Sequence, residues 1–243
     1  MAGLFSIGAG VALLATGLLF DGHLPARGSL LPAVQAEPLQ QMVARPAFDA
    51  HAGKVDYKVS PVADYEISGL VVSRHDADAW WDWMHAAAND HLNVVDLCLV
   101  WGASAVSGAY EKTSFSSGQF ICYYESRDAD ALAPANVRAV SNNHLLTANP
   151  AIARQLRKVR VGDQVTLRGQ LVSYSHSAGF EFMRGTSTTR DDTGNGACET
   201  LFVQDLAVLR SAPGWPRWLR WAGAVLLVFG LIRWFAAPHR PRD

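Results

Sequence analysis

Val159-Arg160-Val161-Gly162-Asp163-Gln164-Val165-Thr166-Leu167-Arg168-Gly169-Gln170-Leu171-Val172-Ser173-Tyr174 reads as a turn followed by one long strand. Gly162-Asp163 carries turn chemistry, and Val165, Leu167 and Leu171 largely alternate with polar neighbours, the period of two that a half-buried strand requires. Gly169 interrupts the side-chain bulk in mid-strand, which signals a bulge or a sheet that bends on itself. The fold class expected from this stretch is mainly β, strongly curved.

Working outward, Asn149-Pro150 is a helix start, because Asn caps and Pro costs nothing at the first helical position; that helix runs to about Lys158. Upstream, Tyr65 to Ser73, Val94 to Trp101 and Gly118 to Tyr124 have strand composition. Between the first two, Asp76 or Asp78 can cap a helix over 77–89. On it Trp80, Trp83, Met84 and Ala87 share one side, while Asp78, Asp82, His85 and Asn89 share another. Downstream, Glu199 to Leu209 supplies a last strand. The whole is a mainly β domain with short helices (α+β) over residues 65–210, preceded by an extended linker at 21–64 with scattered Pro, Gly and Ala.

A Gly-Asp turn, a long strand bent at glycine, an inserted helix and a closing strand together resemble the small β-barrels called OB-folds. Such folds often bind oligonucleotides or oligosaccharides. That function is not carried over, since 21 basic and 22 acidic residues give a net charge of −1 and no concentrated basic face. Nucleic acid is not an expected partner. The stretches Ser141-Asn142-Asn143-His144-Leu145 and Asp192 to Glu199 (DTGNGACE) are similar to stretches of bacterial membrane-anchored proteins, a likeness that implies no activity.

Both ends are apolar. Residues 2–20 carry no charge before Asp21 and read as a first transmembrane helix, without the basic start or nearby cleavage site of a secretory signal. Residues 216–237 read as a second, bracketed by Arg220 and Arg233 and by tryptophans at both edges, with 238–243 as a tail. Gly8, Ala12 and Thr16 form a small face on the first, suited to close approach of Gly223 and Gly230 on the second or of another protein. The expected setting is a multi-pass protein of the bacterial inner membrane with its central domain in the periplasm. The expected partners are the lipid bilayer and another envelope protein.

Three cysteines occur. Cys98 and Cys122 fall in strands that can be neighbours, so a disulfide between them is the leading expectation in an oxidising compartment, with a pairing of either to Cys198 or three buried thiols as the alternatives. The third, Cys198, is a candidate nucleophile with His144 as base and Asn142, Asn143 or Asp192 orienting the imidazole. Arg184, Thr186, Ser187 and Arg190 open a hydroxyl-rich stretch suited to an anion. Asp191, Thr193, Asn195 and Gly196 begin like a calcium loop, but the twelfth position is Phe202, which excludes an EF-hand. No cofactor motif, phosphate loop or zinc cysteine pair is present, and no metal site is expected. The leading functional expectation is a membrane-anchored binding or scaffold module of an envelope complex. The alternative is an envelope hydrolase using Cys198 and His144.

Overall fold

The computed structural model describes residues 2–190 and 198–236. Helix α1 (Ala2–Leu19) comes first, followed by β1 (Leu39–Met42), β2 (Phe48–Ala52) and the long β3 (Val55–Asp76). Then α2 (Trp83–Ala87) leads to β4 (Asn93–Val100), and α3 (Gly102–Ser107) to a hairpin of β5 (Thr113–Gly118) and β6 (Ile121–Ser126). Next, α4 (Pro134–Val137) precedes β7 (Val140–Leu146), and α5 (Pro150–Leu156) precedes β8 (Gln164–His176). Strands β9 (Phe182–Arg184) and β10 (Glu199–Arg210) and helix α6 (Trp215–Ala236) complete the chain. Two compact units result, one of residues 24–212 and one of the two ends.

In the larger unit β3, β4, β7, β10 and β8 pair in a closed cycle, because β8 bonds β10 on one side and β3 on the other. The β7–β10 pair is parallel and the other four are antiparallel. Alternate side chains from all five strands, among them Ile67, Leu97, Leu145, Leu167 and Leu201, fill one core. The opposite face of β3 and β4 contributes Leu70, Val72, Cys98 and Val100 to a second cluster, covered by Tyr110, Phe115 and Cys122. Gly169 lies against β10 so closely that a Cβ there would sit 2.1 Å from the Phe202 carbonyl oxygen, beside a register shift at Val203/Asp205. The absence of a side chain is what lets the sheet bend at this point.

Mainly β with short helices is what the structure has, with several differences from the sequence reading. Residues 21–64 hold β1, β2 and the start of β3 instead of a linker. Val55, Tyr57 and Val59 are buried while Asp56 and Lys58 are exposed, an alternation that continues the strand ten residues upstream of Tyr65. The expected helix over 77–89 shortens to α2, capped by Asp82, which accepts from the His85 amide; Asp78 pairs with Arg157 and Asp76 with Arg74. Its amphipathic sense is inverted. Trp80 and Trp83 are 95% and 68% exposed, whereas Asp82 and His85 are 5% and 2% exposed.

Of the two expected flanking spans, one remains by length and composition: α6 is long and apolar enough to cross a membrane. The apolar part of α1, Leu4–Leu19, is shorter. At 1.5 Å per residue its 16 residues reach about 24 Å, against a hydrocarbon core of about 30 Å. The small face that packs is also different. Gly10 and Gly17 are buried against α6, where a Cβ on either would meet backbone of Leu227 or Pro216 at 2.6 Å, and Gly223 meets Leu14 likewise. Gly8 has nothing within 4 Å, and Ala12 is exposed. Asp21 and Arg220 form an ion pair at one end of this helix pair.

Cys98 on β4 and Cys122 on β6 are joined by a disulfide, and Cys198 is a free thiol. Under denaturing, non-reducing conditions one thiol is expected to titrate, rising to three after reduction. Because the bridge closes a loop of 24 residues, the double variant Cys98→Ser/Cys122→Ser is expected to lose about 3 kcal/mol in a denaturant titration. Three titratable thiols before reduction contradict the bridge.

Candidate functional site

Strand register builds the site. Asp96 on β4 lies directly opposite His144 on β7, and His144 lies opposite Thr200 on β10. Side chains two apart share a face, so Asn142 points the same way as His144, and Cys198, just before β10, reaches both. His144 Nδ1 is 2.7 Å from Asp96 Oδ1, and both side chains are fully buried. The Cys198 side chain lies beside the same imidazole with its thiol directed at the Phe120 carbonyl over 4.0 Å, and the Asn142 amide donates toward its Sγ over 3.8 Å.

The hairpin β5–β6, tied to β4 by the disulfide, carries Phe120 at its tip with φ of +63°, the left-handed region that bulky residues rarely adopt. In that conformation its ring lies 3.6 Å from the His85 ring and 5.7 Å, edge to face, from His144. Arg184 stacks on the outer side of Phe120, 4.0 Å from the ring centroid, and donates to His144 Nε2 at 2.9 Å. Cys198 is half-buried and opens into a cleft of about 460 Å³ bounded by Met84, Phe120, Phe182, Met183 and Arg184. A second hollow of about 560 Å³ shares Cys198 and Arg184 and adds Cys122, Asn142, Arg190 and Glu199.

Behind the imidazole a buried polar chain continues. Asp96 Oδ1 also accepts from Asn93 Nδ2 at 2.8 Å, and the same amide nitrogen is 2.9 Å from His85 Nε2. His85 Nδ1 and His75 Nε2 both meet Asp82 Oδ2. By residue type, His75, Asp82 and His85 suit a divalent metal, and their ligand atoms lie within 4.8 Å of one another. The proton positions argue for hydrogen bonding instead. Asn93 must aim its NH2 at the Asp96 carboxylate, so His85 Nε2 must accept the other N–H, which leaves the proton of a neutral His85 on Nδ1, facing Asp82. Burial holds His85 below the ordinary imidazole value, in keeping with that neutral form.

The remaining sequence candidates are distributed unevenly. Asn143 points to the core side, where it bonds Ser141 and the Leu97 carbonyl, and takes no part in orienting His144; Asp96 has that place. Thr186 and Ser187 spend their hydroxyls within the loop and on Thr200. Arg190 is paired with Glu199 and donates to the Tyr65 hydroxyl at 2.8 Å. Asp192, with Asp191, Thr193, Asn195 and Gly196, lies outside the described residues. Asp96, Asn93, His75 and Phe120 went unread. For Asp96 and Asn93 the signal was a polar residue inside an otherwise apolar strand, Asn93-Val94-Val95-Asp96-Leu97-Cys98-Leu99-Val100.

Two buried groups here titrate abnormally. Burial and the nearby Arg184 work against a charge on His144, while the Asp96 carboxylate and Cys198 pull the imidazole above its ordinary value; with Arg184 seated as a donor on Nε2 the ring is neutral. Burial raises Glu199 to about 7 despite its Arg190 partner. That folded value lies above the ordinary one, so the native state binds more protons and stability falls as pH rises through the range 4.5 to 7. The melting temperature is expected to decline between these limits, and Glu199→Gln to flatten the decline. A melting temperature that climbs steadily with pH over the same range contradicts this assignment. No protein-family model, curated protein or solved structure matches the chain, and the site is defined by its own geometry.

Proposed function

We propose that the cleft is the active site of a cysteine-dependent acyl hydrolase or acyl transferase. The observation that carries this reading is the position of His144, held by the Asp96 carboxylate at 2.7 Å beside the half-buried free thiol of Cys198. In the proposed reaction His144 Nε2 takes the thiol proton, and the Cys198 thiolate attacks a carbonyl carbon. Asp96 holds the Nδ1–H tautomer and stabilises the imidazolium that forms. The Asn142 amide, already directed at Sγ, donates to the developing oxyanion. His144 then returns the proton to the leaving group, and water or an acceptor cleaves the thioester.

A binding or scaffold module of an envelope complex uses the same cleft and differs in what it asks of Cys198. The buried Asp96–His144 pair favours catalysis, because two ionisable groups fully removed from water beside a free thiol exceed what ligand contact needs. The disulfide supports an oxidising compartment, which fits a periplasmic domain, and α6 supports membrane attachment. The closed five-strand cycle with its bend at Gly169 supports the OB-like barrel as the parent architecture.

The test is acyl transfer by the full chain in detergent, using nitrophenyl esters and thioesters with intact-mass detection of an acyl adduct. Wild type is expected to accumulate an adduct on Cys198. Cys198→Ala is expected to abolish it, and His144→Ala to slow its formation by about 100-fold or more. Asp96→Asn is expected to slow it by at least about tenfold through loss of the correct tautomer. Undiminished turnover in Cys198→Ala ends the reading.

A further inference from the structure

Arg184 is the one part of the site whose position opposes the proposed chemistry. Its guanidinium donates to His144 Nε2 at 2.9 Å, while Nδ1 of the same ring is committed to Asp96. Nε2 is therefore the only nitrogen that can receive the Cys198 proton. An arginine neither accepts nor gives up a proton at ordinary pH, so while it is seated it occupies the lone pair that the base needs. A proton on Nε2 and an arginine N–H cannot face each other, so forming the imidazolium requires Arg184 to leave. The pull of Asp96, strong enough to offset burial, favours proton uptake once Nε2 is free.

What could draw Arg184 away is indicated by its surroundings. Arg190 is paired with Glu199, but among the described residues no carboxylate pairs with Arg184; its contacts are His144 and the face of Phe120. It borders both hollows, beside Cys198 in each. The other charged groups near the imidazole and Arg184 are Asp96, bound on the far side of the ring, the Arg190–Glu199 pair, and buried Asp90, which feels the Arg184 charge without an ion pair to it. An unpaired guanidinium at the mouth of a cleft, stacked on an aromatic ring, is a receptor for a planar or tetrahedral anion.

Resting on the cysteine–histidine reading, we propose that the substrate carries a carboxylate or phosphate next to its reacting carbonyl. Arg184 recognises that anion, and in moving to it releases His144 to activate Cys198. Neutral acyl compounds then react more slowly, because the base is freed only when Arg184 leaves unaided.

Alkylation of Cys198, the free thiol, tests this without knowledge of the natural substrate. Iodoacetate and iodoacetamide share the leaving group and differ by a carboxylate. In each case the thiolate displaces iodide and a thioether forms. With the full chain in detergent, the iodoacetate-to-iodoacetamide rate ratio is expected to exceed that of glutathione by about tenfold, the factor given by one charge-assisted contact. In Arg184→Met the ratio is expected to fall to the glutathione value while the iodoacetamide rate rises severalfold. In wild type, acetate is expected to slow iodoacetate but not iodoacetamide, which keeps the test open if the variant fails to fold. A glutathione-like ratio in wild type, an unchanged ratio in Arg184→Met, or acetate acting no differently from chloride at equal ionic strength overturns the proposal. His144→Asn is a separate arm. If it leaves the iodoacetate rate unchanged, the base reading fails, while an anion preference lost in Arg184→Met still assigns anion recognition to Arg184.

Discussion

The pairing of β3 with β8, from Lys58 opposite Ser175 to Leu70 opposite Gln164, closes the five-strand cycle. A sheet left open there would expose two long rows of unpaired amides and carbonyls. Closed, it allows side chains on one face to be fully enclosed, and it fixes the register of every other strand relative to this seam. Gly169 is the local condition for that closure, since β10 passes where a side chain would stand. The parallel contact of β7 with β10 follows from the same arrangement and brings Thr200 alongside His144, with Cys198 two residues earlier.

The outer face of β4 and β7 carries a buried polar chain from Asp82 through His85, Asn93 and Asp96 to His144. Ionisable groups removed from water are costly unless each is hydrogen-bonded, and a hydrophobic filling of the same volume is often equally stable. Keeping such a chain, and holding Phe120 in a left-handed conformation to cover it, makes sense where the groups are used. The disulfide contributes by tying the hairpin that bears Phe120 to the strand that bears Asp96.

Much of the sheet is legible because β3 alternates over its first half and β4 and β8 are dense in β-branched and apolar residues, buried on both faces, and Asn149-Pro150 announces α5 with a cap that the structure retains. β7 was not assigned, for a physical reason: Ser141, Asn142, Asn143 and His144 are polar, yet all are buried, because hydrogen bonds replace the apolar contacts on which pattern reading depends. The same cause hides the inner side of α2, where Asp82 and His85 are buried and Trp80 and Trp83 exposed. The Cys198–His144 pairing could be suggested from residue types, but its third member could not. Asp96 lies 48 positions from His144, and only strand register, a property of the assembled sheet, brings them opposite each other.

Strand β10 begins beside the cleft at Glu199 and ends at Arg210, and the chain leaves the domain just beyond, at Ala212. Twelve residues of extended chain span roughly 40 Å. A single stiff element thus runs from the cleft beside Cys198 to the point where the chain leaves the domain. Force applied at that exit is borne by ladder hydrogen bonds along the whole strand before it reaches Cys198.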